Sequence, residues 1–206
     1  AGHVPFGLGT DTGGSIRIPA ALCGITGLKA TMGRVPKDGV AVLTYSMDHV
    51  GPMCWTATDA AIVLNAIAGH SAADSTTARR STDDYTATLS LPLQGIRVGI
   101  AVGYFTSHYP SIVSAFDKAA DTIRQLGAEV FDVPMPLSFD LTQETGAGLN
   151  AEASAWHASR MRRQSGDYQP DVRRWLKQGE LVLATDYINA RRNRARISAD
   201  MRDLFD

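Results

Sequence analysis

Residues 9–20 read Gly9-Thr10-Asp11-Thr12-Gly13-Gly14-Ser15-Ile16-Arg17-Ile18-Pro19-Ala20, glycines and hydroxyl residues gathered around one acid and one arginine. Glycine reaches backbone conformations closed to other residues and lets a ligand approach the main chain. Gly13-Gly14 directly before Ser15 therefore predicts a turn whose N–H groups point inward as a small anion nest. Acyl transfer needs such a nest. Its tetrahedral intermediate carries an oxyanion, which preorganised N–H donors beside the nucleophile stabilise. A serine hydroxyl is a weak nucleophile alone and needs a base to take its proton. Pro19 biases Ile18 towards extended or turned backbone, so the loop is expected to leave as a short extended stretch.

Other loops share this composition. Most Gly/Ser/Thr runs are ordinary turns. A Walker phosphate loop needs a lysine before its final Ser/Thr, and none precedes Ser15. The dinucleotide fingerprint fails at Thr12, where Gly7-Leu8-Gly9-Thr10-Asp11-Thr12 lacks its last glycine. The G-x-S-x-G elbow fails at Arg17.

Asp11-Thr12-Gly13-Gly14-Ser15-Ile16-Arg17-Ile18-Pro19-Ala20 resembles the second half of the amidase signature. Cys23-Gly24-Ile25-Thr26-Gly27-Leu28-Lys29, Gly33-Arg34-Val35, Ser46-Met47-Asp48-His49-Val50-Gly51-Pro52-Met53 and Thr58-Asp59-Ala60-Ala61 extend the match in type, order and spacing across roughly the first 70 residues. Asp74-Ser75 and Ala151-Glu152-Ala153 fit more loosely. The resemblance implies an α/β amidase-signature fold, a mixed central sheet covered by helices. It implies a Ser–Ser–Lys triad with Ser15 as nucleophile. The N–H groups of Thr12, Gly13, Gly14 and Ser15 would form the oxyanion hole, braced by an Asp11–Arg17 ion pair. It implies a small-molecule linear amide as substrate, no cofactor and no metal. In that family the lysine and the bridging serine lie upstream of the nucleophile. The expectation is therefore that residues 1–206 are part of one amidase-signature domain, with those two residues before Ala1 and a C-terminal part after Asp206, and that this stretch alone is inactive. Lys29 and Lys37 are the nearest substitutes for the base, although Lys29 falls in a segment that is structural in the family.

Three functions remain in view: an amidohydrolase, the amidase subunit of a tRNA-dependent amidotransferase that uses glutamine, and a non-catalytic scaffold. A triad of Ser15, His49 and Asp48 is a further arrangement, but neighbouring residues on an extended strand point to opposite faces, so Asp48 is poorly placed to orient His49. His157, near Glu152, resembles a position lining the substrate side in the family; an ordinary surface histidine is the alternative.

The elements that must position these groups follow from pattern. With 206 residues and 44% hydrophobic content the chain has material for a sizeable core. Its formal net charge of −1 gives no electrostatic case for nucleic acid or a membrane surface. Two cysteines, Cys23 and Cys54, make neither a disulfide framework nor a metal site and suit a reducing cytoplasm. No signal peptide or membrane-spanning run is visible. A homodimer is compatible with all of this.

Residues 24–56 read as loops and short strands punctuated by Gly33, Gly39, Gly51 and Pro52, with Val40-Ala41-Val42-Leu43 as a buried stretch. Thr56 and Asp59 form a capping box that opens a largely buried helix to Ala68. Residues 70–94 are a polar connection. Ile96, Val98 and Ile100 alternate as a strand. Apolar residues from Ile112 to Leu126 recur at helical spacing and stop at Gly127. Residues 129–133 form the next strand, which predicts parallel pairing with a right-handed crossover. Three helices follow, over 143–164, from Pro170 to Gly179 with Val172, Trp175 and Leu176 inward, and over 185–205. Arginines at 160, 162, 163, 191, 192, 194 and 196 are expected to face water.

Overall fold

A computed structural model describes residues 2–103 and 109–205. They form an α/β structure that divides into two compact units, Ala1–Leu89 with Glu144–Arg191, and Ser90–Gln143 with Arg192–Asp206.

The first unit carries a three-stranded antiparallel sheet in the order β1-β3-β2, built from β1 (Phe6–Asp11), β2 (Thr26–Gly27) and β3 (His49–Cys54). β1 and β3 pair in the register Phe6↔Cys54 through Asp11↔His49. Between β1 and β2 lies a short helix, α1 (Arg17–Cys23). This corrects the extended exit expected after Ser15. Pro19 sits in the first turn of α1, where its missing N–H has no intrahelical partner to lose, so the ring is accommodated.

Ile16, directly after Ser15, is fully buried. One glycine from each strand makes room for it. A Cβ on Gly9, Gly27 or Gly51 would come within 3.2, 3.0 and 3.1 Å of Ile16 side-chain carbons. The backbone at Gly51 also passes so near Leu28 that a Cβ there would lie 2.1 Å from its carbonyl oxygen. Gly51 and Pro52, read from sequence as breaks, thus lie inside the central strand. Glycine in a strand marks close approach by other groups, and here the buried group is the residue next to Ser15.

The helix α2 (Ala57–Ile67) opens with the expected box: Thr56 Oγ1 accepts the Asp59 N–H at 3.1 Å and Asp59 accepts the Thr56 N–H, also at 3.1 Å. Its Ala60, Ala61, Val63 and Leu64 are buried, while Ile62 is exposed, so only one face is covered. Val63 packs with Cys54 and Ala60, and Leu64 with Val35 and Val50. Of the stretch from Val40 to Leu43 only Val42 is buried; Ala41 and Leu43 are exposed. Within the same unit α4 (Gly146–Gln164) packs on α5 (Pro170–Gly179) around Ala153, Met161 and Leu176. α4 starts later than the pattern suggested, because residues Leu137–Thr145 wind as tighter 3₁₀ turns. Pro170 does open α5, but Val172 faces outward.

The second unit contains the expected strand–helix–strand: β4 (Arg97–Val102), α3 (Pro110–Gln125) and β5 (Glu129–Pro134). The strands pair in parallel from Arg97↔Glu129 to Val102↔Pro134. The last helix, α6, covers Ala184–Asp203, with Ile197 buried and Phe205 beyond its end exposed. Among the described residues the strands form two sheets, one antiparallel and one parallel. The arginines at 160, 162, 163, 191, 192 and 196 are exposed, and Arg194 is half-buried. Among the described residues no helix is long and apolar enough to cross a membrane, and no group of His, Cys, Asp and Glu could hold a metal ion. Cys23 is exposed and Cys54 buried, both as free thiols.

Candidate active site

The loop Thr12–Ser15 leaves the end of β1 and enters α1, braced from within by the Asp11 carboxylate. Asp11 is completely buried. Its Oδ2 accepts the N–H of Ile16 at 3.2 Å, the N–H of Arg17 at 3.4 Å and Arg17 Nε at 2.9 Å; its Oδ1 accepts Arg17 Nη2 at 3.1 Å and Lys29 Nζ at 3.1 Å. Burial by itself would raise the Asp11 carboxyl. The hydrogen bonds from Arg17, Lys29 and the Ile16 N–H outweigh it and hold the group far below the usual carboxylate range. Asp11 in turn raises the Arg17 guanidinium above its ordinary value. The Asp11–Arg17 pair expected across the turn is present, and Lys29 completes it as a second cation.

Lys29 also donates to the Thr12 carbonyl at 2.9 Å. It is a strut under the loop, and its ammonium is committed there. Lys37 donates to the Tyr45 carbonyl at 2.7 Å and lies over the Tyr45 ring at 5.0 Å from its centroid. Neither lysine bonds to Ser15.

Above this base the backbone turns at Gly14, whose φ of +143° lies where side chains are strained. A Cβ there would also lie 2.6 Å from Ile18 Cδ1. Ser15 is exposed. Among the described residues the N–H groups of Gly13, Gly14 and Ser15 donate to no internal acceptor, while the Gly14 carbonyl accepts the Ile18 N–H at 2.7 Å. A hydroxyl flanked by unspent amide donors, at the start of a helix, is an arrangement that can hold a developing negative charge.

Thr12 is tied down separately. Its hydroxyl donates to Asp48 Oδ1. Asp48 Oδ2 accepts the N–H groups of Leu43 at 2.6 Å and Thr44 at 3.1 Å. The His49 ring instead meets the Met47 carbonyl, Nδ1 donating at 2.6 Å. Burial, with the charge of Lys29, pushes His49 below its ordinary value. Asp48 and His49 therefore serve different partners, and the structure does not join them into a triad with Ser15.

One connection was not visible in the sequence. Glu152, on α4, accepts the N–H and the hydroxyl of Ser46 at 2.9 and 2.7 Å, and the Tyr187 hydroxyl at 3.3 Å. Both segments stood out in the resemblance, but nothing in their spacing could pair them. His157 is half-buried, with Nδ1 2.8 Å from the Tyr168 hydroxyl and edge-on contacts to Trp156 and Tyr168. Burial and the charge of Arg160 lower its pKa.

The α/β chain thus carries a glycine–serine turn braced on a buried aspartate. Comparison with known proteins is more specific: the family model described as Amidase matches residues 1–206, and the chain belongs to the amidase family. It is 41% identical over 230 residues to the A subunit of the glutamyl-tRNA(Gln) amidotransferase of Chloroflexus aurantiacus, covering all of this chain and 47% of that protein. It is 37% identical over 199 residues to an amidase of Pseudomonas putida, covering 96% of this chain and 43% of the relative. Among solved structures, a vestigial protein complex that reveals the evolutionary origins of an s-triazine catabolic enzyme superposes with a TM-score of 0.88 at 30% identity, covering 99% of this chain and 44% of that one. The chain spans about half the length of the curated relatives it matches.

Proposed function

We propose that the protein is an amidohydrolase that cleaves the C–N bond of a linear carboxamide through an acyl-enzyme on Ser15. The observation that carries this reading is the exposed Ser15 beside the unspent N–H groups of Gly13, Gly14 and Ser15, on a loop braced by Asp11, Arg17 and Lys29. Ser15 Oγ attacks the amide carbonyl and its proton leaves as the new C–O bond forms. The carbonyl oxygen becomes an oxyanion, held by the amides of the loop including that of Thr12. Collapse expels the amine, which takes up a proton, and water then hydrolyses the ester. The proton acceptor in this reading is the bridging serine and neutral lysine that the resemblance to amidase-signature enzymes implies. Lys29 and Lys37 are engaged elsewhere. No cofactor or metal enters these steps.

The test is amide turnover by the full-length protein and its Ser15→Ala variant. Loss of more than about a thousandfold in kcat/KM is expected for a nucleophile. Turnover that survives the substitution overturns the reading.

The 41% identity to one chain of an amidotransferase favours a second reading, in which glutamine is the amide donor and ammonia passes to a partner protein. Comparing glutamine with simple aliphatic and aryl amides separates the two. A preference for glutamine supports the amidotransferase, and indifference to it supports the hydrolase.

A further inference from the structure

We propose that Asp48 is a positioning residue for the oxyanion loop, acting through the hydroxyl of Thr12. This rests on the Ser15 reading and adds to it the part that sets the aim of the loop.

Two carboxylates flank the Thr12–Ser15 turn, and they do different work. Asp11 takes the N–H groups of Ile16 and Arg17, so it fixes the downstream end of the turn. The Lys29 ammonium holds the Thr12 carbonyl. Neither fixes the Thr12 side chain. That role falls to Asp48, which is 2% exposed and uses its second oxygen on the N–H groups of Leu43 and Thr44. A buried acceptor pinned by two backbone donors cannot swing, so its bond to Thr12 sets the orientation of the residue that begins the turn. Held from above at its hydroxyl and from below at its carbonyl, the Thr12 peptide has little freedom left. Catalytic donors must sit close to the position of the oxyanion, and small misplacements cost rate rather than binding.

The segment carrying Asp48 is itself anchored. Glu152 holds Ser46 by both its N–H and its hydroxyl, and Lys37 holds the Tyr45 carbonyl. A line of hydrogen bonds and covalent chain thus runs from α4 through Ser46 and Asp48 to Thr12, without touching Ser15.

The experiment compares Thr12→Val, Thr12→Ser, Asp48→Asn and the double variant Thr12→Val/Asp48→Asn in the full-length protein. Amide kcat and KM and the rate of labelling by a fluorophosphonate are read for each. Thr12→Val keeps the shape of the side chain and removes only the hydroxyl, which guards against a folding failure in the Asp48 variant. The proposal expects Thr12→Val to lower kcat by about 10- to 100-fold with KM within about threefold, and Thr12→Ser to restore kcat to within about threefold. The double variant is expected to be no slower than the slower single one, because both substitutions break one contact. A Thr12→Val enzyme with unchanged kcat, no rescue by serine, or losses that multiply in the double variant would overturn it. If the unsubstituted protein is not labelled in a Ser15-dependent way, the Ser15 reading itself has failed, and that result is distinct from the others.

Discussion

The carboxylate of Glu152 grips Ser46, 106 positions earlier in the chain, by both its backbone N–H and its hydroxyl, at 2.9 and 2.7 Å. This contact ties helix α4 to the loop that precedes β3, and the same loop carries Asp48. Glu152 also receives the Tyr187 hydroxyl and lies 3.7 Å from Arg191, whose guanidinium is half exposed.

Glu152→Ala is expected to destabilise the protein by about 1–3 kcal/mol, because it removes two hydrogen bonds to part-buried Ser46 and the one from Tyr187. Arg191→Ala should cost less than about 1 kcal/mol, since its ion pair is solvated and screened. Chemical denaturation measures both. Equal effects would mean that the ion pair, and not the Ser46 clamp, is what Glu152 supplies.

Asp11 gives a pH signature. Its folded-state pKa is depressed far below the ordinary 3.8. A carboxylate of this kind contributes stability that is complete above its unfolded value and lost as pH falls through its folded value. The contribution should therefore be constant from neutral pH down to about 4 and decline progressively below that. Asp11→Asn removes the charge and leaves Lys29 and Arg17 facing a neutral amide. It should be less stable than the parent at pH 7, by about 1–3 kcal/mol for the lost charge-assisted hydrogen bonds, and the gap should narrow in acid. Melting curves of the two proteins from pH 7 to pH 2 test this; a gap that stays constant below pH 4 would contradict it.

Gly13 and Gly14 separate geometry from chemistry. Gly13→Ala meets nothing within 4 Å and needs no left-handed backbone, so stability should be unchanged within about 0.5 kcal/mol. Gly14→Ala forces a side chain into φ +143° and against Ile18, at a cost of about 1–3 kcal/mol and with loss of turnover. Thermal melts paired with amide assays distinguish the two variants, and equal stability would refute the strained turn.

What the sequence disclosed depended on the range of the interaction. The capping box at Thr56 and Asp59, the helix start at Pro170 and the β4–α3–β5 unit are local signals, and the structure has each of them. The Asp11–Arg17 pair was expected from the resemblance alone, and the structure pairs the two side chains six positions apart. The strand β1 was hidden, because Gly7 and Gly9 blur the alternation of Phe6, Leu8 and Thr10. β3 was hidden for a related reason: Gly51 and Pro52 look like breaks until Ile16 is seen to occupy the space a Cβ on Gly51 would need. The Thr12–Asp48 and Ser46–Glu152 bonds join distant segments, and no periodicity encodes them. Lys29 read as a conceivable base only while its partner at Asp11 was unknown.

The central claim is that Ser15 is the nucleophile, and the most direct measurement is the site of covalent labelling. The full-length protein is treated with a fluorophosphonate, digested, and the modified residue identified by mass spectrometry. One phosphonyl adduct on Ser15, absent from Ser15→Ala and blocked by an excess of amide substrate, is the predicted result. A stoichiometric adduct on another residue, or labelling that persists at full rate in Ser15→Ala, would contradict it.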